Sequence, residues 1–554
     1  MLKCKGSSVM AGVAIAPLHF YQRPARCYDM SPCKDPAAEV ARMEQARQQA
    51  IRHQSVLYEK ALQEAGAEIA AVFDVHALML DDNEFVETVR ENINSLHMRA
   101  EYAVRCAAYA MVDRFAEVDD EYMRARIDDI LDIGRGLIYQ MQGGVLEEDA
   151  WDGPAIIVAE ELSPSEAVQL NKEQVVGIVT RVGSSISHTS ILARSMELPA
   201  LVNAKDVKQC WEGHMAILDG LSGELLIDPD VDTLIKYRQI QQEFIHRKKL
   251  LHRLKGRPNE TIDGHLVQVL ANIGQAEDLE AAKENDAGGV GQFRSDYLFL
   301  GPDPDPDEDT QYRCYKEAAR AVYPYPMQVV TEDWSSSTPS SFMNLTREES
   351  IALTRRGIRR SLMEPESFRV QIRALLRAAV VGNVRIMLPM VTSIKQVQWA
   401  KQVIENCKSE LLEAGVPVGE AQLGVLVETP AAVWIADELA EEADFFMIGT
   451  NDLIQFTCVL DRDGIEGVPF ADPYHPAILR QIDYAIQAAH RHGIPVGISG
   501  EMGGDIALTE HLLRLGIDAF SVSPTMILPL RNRIRHLDLR EEPSPLPDAS
   551  AVVL

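Results

Sequence analysis

The second half of the chain alternates short apolar runs with amphipathic helical segments, and this alternation constrains the fold most strongly. There are eight apolar runs: LVQVLANI, GGVGQF, MQVVT, NVRIMLPMV, QLGVLVE, FFMIGT, IPVGISG and AFSVS. Helical segments such as PESFRVQIRALLRAAVV separate nearly all of them. Eight strands alternating with helices over about 280 residues predict a closed (β/α)8 TIM barrel at residues 258–537. In such a barrel, the functional side chains lie where strands end and loops begin.

The first half changes pattern twice, which predicts an α/β domain interrupted by helices. Strand-like apolar runs occur in residues 1–21 and return within residues 146–230. Between them, residues 35–143 carry apolar side chains at helical spacing with few breakers, which predicts an inserted helical bundle. Residues 231–257 form one charged amphipathic segment, which predicts a linker helix. The Pro-rich residues 538–554 are typical of a disordered tail.

Composition excludes several classes of protein. With 554 residues the chain is too long for one ordinary domain, and 46% apolar residues are enough for sizeable cores. A formal net charge of −29 argues against nucleic-acid binding, and it fits either simple solubility or attraction of a basic partner protein. No run approaches the ~20 apolar residues of a membrane helix, so we expect no membrane insertion. Eight cysteines without a CxxC pair favour reduced thiols in a cytoplasmic protein.

One histidine lies where a helix is predicted to begin after a strand. His188 belongs to the segment GSSISHTSILAR, which starts at Gly183. Unpaired backbone N–H groups and the helix dipole at such a position favour an anion, for example a phosphate carried on the imidazole. A neutral imidazole nitrogen is also a competent nucleophile toward phosphorus. The spacing by itself fits equally a histidine that only helps to begin the helix.

The residues around His188 carry a family resemblance. SHTSILARSMELPALV, beginning at Ser187, resembles the phosphohistidine signature of Enzyme I, the phosphoenolpyruvate-dependent protein phosphotransferase of the bacterial sugar phosphotransferase system. The resemblance implies a swivelling phosphohistidine domain in which His188 takes phosphate from phosphoenolpyruvate and passes it to the small carrier protein HPr. It also implies that the inserted bundle docks HPr. The chain departs from the family in two places: the family's Arg-Thr before the signature is Ser185-Ile186 here, and the final Thr of the upstream motif is Ala167, in AEELSPSEA.

The predicted barrel carries further motifs of this family. The motifs are VETPAAVWIA, IGTNDLIQF, GVGQFRSDYLF, LDRD and RRGIR. The resemblance implies that phosphoenolpyruvate is held by Arg294, Arg356, Asn451 and Arg462, and that Mg2+ is held by Glu428 and Asp452. It also implies a homodimer formed through the barrel. Any one of these residues alone is more often a solvated charge, so the prediction depends on their occurrence together at predicted strand ends.

Two departures from the family fall in the same barrel site. The family's third strand ends in R-T-x-D-I-G-G-D-K, whereas this chain has Val330-Thr331-Glu332-Asp333-Trp334, so both cations are absent and two acids are present. We expect acids beside a trianionic substrate to repel it. The family's C-G-E-L cysteine, which protonates the enolpyruvate carbon, is Ser499 here, and a serine hydroxyl is far less acidic than a thiol of pKa near ~8.5.

These observations leave two hypotheses open. The first is an active phosphotransferase that transfers phosphate from phosphoenolpyruvate through His188 to HPr, with Ser499 at the catalytic cysteine position. The second is a catalytically impaired paralogue that acts as a regulatory or HPr-binding protein. The pyruvate phosphate dikinases share the histidine domain and the barrel, but they need an ATP-binding domain for which this chain has no room.

Overall fold

The computed structural model describes residues 1–21, 29–64, 67–117, 121–143, 151, 153–171, 174–183, 187–196, 198–274, 278–299, 306–333, 353–460 and 474–543. The chain divides into two compact units, Met1–Lys248 and Lys249–Leu554. Within the described ranges, no helix is both long enough and apolar enough to cross a membrane. Arg462, Ser185, Ile186 and Trp334 lie outside the described residues.

The first unit contains one mixed sheet of eight strands in the order β1-β8-β7-β3-β4-β5-β6-β2. The third strand is central, because it pairs in parallel with the fourth and antiparallel with the seventh. The opening segment therefore completes a sheet whose other strands come from after the helical region. The strands are β1 Leu2–Lys5, β2 Ser7–Met10, β3 Val13–Phe20, β4 Ala155–Ala159, β5 Val175–Thr180, β6 Ala200–Val202, β7 Met215–Asp219 and β8 Glu224–Ile227.

Five helices between β3 and β4 form a bundle with its own apolar core. They are α1 Pro36–Glu64, α2 Ala67–Leu80, α3 Asn83–Leu96, α4 Ala100–Glu117 and α5 Glu121–Met141. In α3 the buried side chains Phe85, Val89 and Ile93 recur every fourth residue, which aligns them on one face. Asp82 caps this helix by accepting a hydrogen bond from the Phe85 N–H. Three further helices of the unit follow β4: α6 Pro164–Gln169, α7 His188–Ser195 and α8 Val231–His252.

The second unit is built on a closed barrel of eight strands, and every pairing in it is parallel, including that of the last strand with the first. The predicted (β/α)8 barrel is therefore confirmed. Its strands are β9 Gln268–Ile273, β10 Val290–Arg294, β11 Pro326–Val330, β12 Asn383–Leu388, β13 Gln422–Val427, β14 Phe445–Gly449, β15 Val496–Ser499 and β16 Ala519–Val522.

Helices surround the barrel and bury their apolar faces on it. They are α9 Asp278–Glu284, α10 Glu308–Val322, α11 Ile358–Met363, α12 Pro365–Ala378, α13 Ile394–Glu413, α14 Pro430–Trp434, α15 Ala436–Ala440, α16 Thr450–Cys458, α17 Pro476–Arg491, α18 Glu501–Gly504, α19 Thr509–Leu515 and α20 Ile527–Arg535. Short 3-10 turns occupy Gln209–Trp211, Ser295–Phe299, Leu353–Arg355 and Pro524–Met526. In α12 the buried Phe368, Ile372 and Leu375 lie on the barrel-facing side.

Residues beyond the predicted end of the barrel at 537 are held by hydrogen bonds. The Leu539 N–H donates to Asp263 Oδ1 at 3.1 Å. Arg514 Nη1 and Nη2 donate to the carbonyls of Leu539 and Glu541, each at 2.8 Å. These bonds hold Leu539 and Glu541 in place, although the sequence predicted a disordered tail from residue 538. Residues 544–554 lie outside the described part of the chain.

Candidate functional site

The carboxyl ends of the barrel strands surround a cavity of about 300 Å³, which we call the barrel cavity. Five of the six barrel residues singled out from the sequence as substrate or metal ligands, together with the residue at the catalytic cysteine position, line it: Arg294, Arg356, Glu428, Asn451, Asp452 and Ser499. The sixth, Arg462, lies outside the described residues. These side chains come from the ends of different strands and from the loops after them, which is where parallel barrels place their functional groups.

Local sequence explains why Glu428 projects into the barrel cavity. Strand β13 ends at Val427, and Pro430 opens the short helix α14, so that Glu428 lies in the turn between them. Thr429 Oγ1 accepts a hydrogen bond from the Ala432 N–H at 3.1 Å, which caps α14. The same hydroxyl donates to the Val391 carbonyl at 2.7 Å. The turn is therefore held on both sides.

Arg356 links two carboxylates in the barrel cavity. Its Nη2 is 2.7 Å from Asp333 Oδ2, and its Nε donates to Asp333 Oδ1 at 3.3 Å. Its Nη1 donates to Asp452 Oδ1 at 3.0 Å. Burial by itself would lower the pKa of Arg356, but Asp333 and Asp452 raise that pKa overall, so the guanidinium remains a cation. Burial raises the pKa of Asp333, although Arg356 counteracts this.

Glu428 is the most strongly perturbed acid of the cavity. Its carboxylate Oε1 accepts a hydrogen bond from the Met390 N–H at 2.7 Å, and only 3% of the residue is exposed. Burial, followed by repulsion from Asp452 and Asp333, raises the pKa of Glu428 well above its ordinary value. A cation bound between Glu428 and Asp452 would relieve this repulsion.

The donor set fits Mg2+. Magnesium prefers oxygen ligands and is usually bound by one or two carboxylates, with water and substrate phosphate completing its shell. Glu428 and Asp452 supply two such carboxylates in one cavity. Within the described ranges, no group of three or more His, Cys, Asp or Glu side chains is arranged to hold a metal ion.

Ser499 and Asn451 are fixed by contacts between neighbouring strand ends. Ser499, which is 1% exposed, donates from Oγ to the Ile448 carbonyl at 3.3 Å. Asn451 Oδ1 accepts a hydrogen bond from the Glu501 N–H at 3.0 Å. Gly500 lies between them with a φ of 87°, and a Cβ there would come within 2.3 Å of the Thr450 hydroxyl. Only glycine therefore allows this close approach.

Sequence reasoning missed Asp296 as the partner of Arg294, and it did not pair Asp333 with Arg356. Arg294 Nη2 lies 2.6 Å from Asp296 Oδ2, and Asp333 binds Arg356 as described above. Asp296 and Asp333 both lie just after a strand and both line the barrel cavity, so position after a strand was the signal that could have found them. The Arg294 side chain is 45% exposed, which leaves it room to turn toward a bound anion.

The two acids after the third barrel strand face different surroundings. Asp333 lines the barrel cavity, whereas Glu332 pairs with Arg360 Nε at 3.0 Å and accepts a hydrogen bond from Ser367 Oγ at 3.1 Å. Successive residues of an extended chain point to opposite sides, which explains the difference. The expectation that both acids lie beside the substrate is therefore wrong for Glu332.

His188 is the first residue of α7 in the first unit. Ser187 caps this helix by accepting from the Ser190 N–H at 3.4 Å, and Thr189 Oγ1 donates to the Leu162 carbonyl at 3.2 Å. Leu192 and Ala193 are buried in the core that α7 shares with α6. Residue 188 is thus held at a helix N-terminus whose position is fixed by capping and by packing.

Three sequence models of the phosphoenolpyruvate-utilising enzymes match this chain. The N-terminal domain matches residues 5–126, the mobile domain matches residues 151–223, and the phosphoenolpyruvate-binding domain matches residues 248–539. An NMR solution structure of Enzyme I is 28% identical over 44% of this chain and 99% of its own length, with a TM-score of 0.38.

Curated relatives match almost the whole chain. The phosphoenolpyruvate-protein phosphotransferase of Geobacillus stearothermophilus is 37% identical over 97% of this chain and 93% of the relative. The protein of the same name from Bacillus subtilis is 37% identical over 98% of this chain and 96% of the relative. These matches cover almost the whole chain, and the chain therefore belongs to the phosphoenolpyruvate-protein phosphotransferases, within the family of phosphoenolpyruvate-utilising enzymes.

Proposed function

We propose that this protein transfers the phosphoryl group of phosphoenolpyruvate to His188, and from His188 to a histidine of an HPr-like carrier protein. The observation that carries the proposal is the barrel cavity, in which two arginines, an asparagine and two carboxylates lie together in a chain of this family. His188 at the capped N-terminus of α7 supplies a nucleophile in a position that favours a bound phosphate.

Each ligand residue singled out from the sequence has a proposed role. Arg294 and Arg356 bind the phosphate and carboxylate of phosphoenolpyruvate, since guanidinium groups match both anions. Asn451 orients the carboxylate through its amide, and Arg462 adds a third cation by family resemblance. Glu428 and Asp452 hold Mg2+, which would neutralise charge on the phosphate when bound.

The proposed transfer breaks the bond between phosphorus and the enol oxygen and forms a bond between phosphorus and a nitrogen of His188. The electrons of the broken bond leave with the enolate of pyruvate, and a proton then added to its methylene carbon gives pyruvate. Ser499 occupies the position from which the family's cysteine delivers that proton. In the second step, the histidine of the carrier attacks the phosphorus and restores His188.

The departures from the family in the barrel cavity predict that transfer from phosphoenolpyruvate loses more activity than exchange with the carrier. Transfer from phosphoenolpyruvate requires the barrel cavity, where the family's third-strand arginine and lysine and its cysteine are missing. Each lost charge-assisted contact to phosphate costs roughly 1.5–3 kcal/mol, or about one to two powers of ten in rate or affinity. Exchange between His188 and the carrier requires only the first unit. We therefore expect phosphorylation from phospho-HPr to survive better than phosphorylation from phosphoenolpyruvate.

Radiolabelled phosphoenolpyruvate with Mg2+, and separately phospho-HPr, should be given to the full chain and to His188→Ala. Acid-labile label on the unaltered chain and none on His188→Ala is the expected result. Label from phospho-HPr alone would support the impaired, HPr-binding paralogue. Absence of label from both donors, or equal label on His188→Ala, would overturn the proposal.

The carrier is proposed to dock on the helical bundle. The bundle exposes Asp74, Asp81, Asp82 and Glu84, which would attract a basic partner. Three of these acids also have structural tasks: Asp81 pairs with Arg47, Asp82 caps α3 and Glu84 pairs with Arg114. Asp74→Asn is therefore the cleaner test, and it should slow HPr association at low salt but much less at high salt. Unchanged association at low salt would contradict this docking surface.

A homodimer formed through the barrel and a cytoplasmic location stay predictions from the family. Sedimentation of the full chain tests the first: a species of about twice the 61.6 kDa chain mass is expected, and a purely monomeric protein would contradict it.

A further inference from the structure

A second cavity lies in the first unit, between the helical bundle and α6, and we call it the bundle cavity. Its volume is about 350 Å³, and α1, α4, α5 and α6 contribute most of its lining. Ligand sites for small molecules begin at about 300 Å³, so a small metabolite would fit. None of the residues assigned a role in phosphoryl transfer lines it.

Gln54 of α1 is a buried polar group on the wall of this cavity. It is 4% exposed, and its Oε1 has no hydrogen-bond partner within the described part of the chain. A buried amide oxygen without a partner is unfavourable, because it has lost its hydrogen bonds to water without replacement. Rotation about its terminal torsion is soft, so that either its oxygen or its NH2 group can turn toward an occupant of the cavity.

Gly136 lies in the interior of α5, where a glycine is unusual. Glycine is unfavourable there because it loses more backbone entropy than alanine on folding. A Cβ at Gly134, on the same helix, would lie 3.2 Å from the Ala108 Cβ, so close helix packing explains that glycine. A Cβ at Gly136 would meet nothing within 4 Å. Gly136 also lines the bundle cavity, so its missing side chain leaves the cavity open.

Among the described residues, two acids lie on the cavity wall, and both already accept hydrogen bonds from the segment that begins α6. Asp132 accepts hydrogen bonds from Ser163 Oγ at 2.8 Å and from the Ser165 N–H at 3.2 Å. Glu166 accepts from the Ser163 N–H at 2.9 Å, as part of the capping box of α6. The carboxylates of Asp132 and Glu166 are therefore directed toward the N-terminus of α6.

The cations on the wall are two arginines. Arg105 and Arg135 both line the cavity, and Arg105 lies with its guanidinium carbon 5.6 Å from the centre of the Tyr109 ring. A guanidinium has five N–H donors, so an arginine that keeps one partner can still bind a second anion. His53 adds a largely uncharged imidazole at neutral pH, because burial lowers its pKa.

We propose that the bundle cavity binds a small organic anion that carries its own O–H or N–H donors. The guanidinium groups of Arg105 and Arg135 take the anionic group, and the Gln54 amide accepts a hydrogen bond from the donor. Carboxylates and phosphate monoesters share this chemistry, and the experiment separates them.

Calorimetry on the full chain, without Mg2+, tests this proposal with four probes. Glycerol 3-phosphate and glycerate carry both features, glycerol lacks the charge and inorganic phosphate lacks the carbon skeleton. At least one of the two organic anions should bind, about tenfold or more tighter than glycerol and inorganic phosphate. Whichever binds better identifies the anionic group. Failure of both organic anions to bind would overturn the proposal.

Variants locate the binding in the bundle cavity. Gly136→Phe should fill the space and weaken binding about thirtyfold or more, whereas the matched control Gly136→Ala should change it less than about threefold. Gln54→Leu should weaken binding about three- to tenfold. Circular dichroism checks that each variant folds. If Gly136→Phe does not fold, the binding measured for Gln54→Leu decides the outcome. Binding that is unchanged in the folded variants would place the probe elsewhere and overturn the proposal.

Discussion

Replacement of Asp333 by asparagine tests whether this acid limits substrate binding. Asp333 is held by two nitrogens of Arg356, the guanidinium that we assign to the substrate. Among the described residues, the barrel cavity is lined by four acids, Asp296, Asp333, Glu428 and Asp452, and by two arginines, Arg294 and Arg356, so these six side chains sum to a charge of −2 if all are ionised. Asp333→Asn reduces this to −1 while leaving a side chain of nearly the same shape.

The magnitude follows from Coulomb's law. An anion bound on the far edge of the Arg356 guanidinium would lie about 6 Å from the Asp333 carboxylate, where two unit charges repel by about 2.8 kcal/mol at an effective dielectric constant of ~20. Part of this gain is lost, because asparagine orients the guanidinium less firmly than a carboxylate does. We expect the free energy of phosphoenolpyruvate binding to become more favourable by about 1.4 kcal/mol, which corresponds to about tenfold tighter binding.

The neighbouring acid supplies a matched control. Glu332→Gln removes the same charge one residue away, but Glu332 faces Arg360 and Ser367 instead of the barrel cavity. Calorimetric titration of both variants with phosphoenolpyruvate and Mg2+ should show tighter binding for Asp333→Asn and a change of less than about threefold for Glu332→Gln. Weaker or unchanged binding by Asp333→Asn would refute the reasoning, and weaker binding would show in addition that Asp333 is needed to position Arg356.

Three further predictions concern proton delivery, barrel stability and pH. Ser499→Cys should raise the rate of pyruvate formation from phosphoenolpyruvate about tenfold or more, but turnover should remain incomplete because the third-strand cations are still absent; an unchanged rate of pyruvate formation in rapid-quench assays would contradict a proton-donor role at residue 499. Arg531 is 3% exposed and donates hydrogen bonds to Asn259 and to the Leu254 carbonyl. Arg531→Met should therefore lower the free energy of unfolding by about 2–4 kcal/mol in a urea titration. In the same titration, Arg533→Met, at a more exposed position, should lower it by less than about 1 kcal/mol. Burial lowers the pKa of His53 in the folded chain, so the folded state binds fewer protons than the unfolded state. The free energy of unfolding should therefore fall as pH drops below about 6.5. The urea midpoint of His53→Gln should fall less over this range than that of the unaltered chain, and an equal fall would contradict this role of His53.

Several features of this protein follow from sequence because they are encoded by neighbouring residues. Each of the eight apolar runs in the second half overlaps a barrel strand, since strands and helices have different periods of hydrophobicity. The helix that begins at His188 was likewise predicted from the strand before it and the polar residues at its start. The bundle and the α/β sheet could be recognised for the same reason.

Tertiary structure decided the surroundings of each functional group. Arg356 and Asp452 are 96 positions apart, and only closure of the barrel brings them within hydrogen-bonding distance. Glu332 and Asp333 are adjacent in sequence, yet the direction of the chain after β11 sends one to Arg360 and the other into the barrel cavity. No local pattern contains this information, because it depends on the register and twist of strands that pair across long stretches of chain.

The bundle cavity could not be predicted from the sequence at all. Gly136 in α5 is a weak helix former, and the sequence alone does not show whether such a glycine faces a neighbouring helix or an open space. Gly134 and Gly136 are two residues apart in one helix, and packing against Ala108 accounts for the first but not the second. Residue identity sets the cost of a glycine in a helix, whereas the position of the neighbouring helices decides what occupies the space that it leaves.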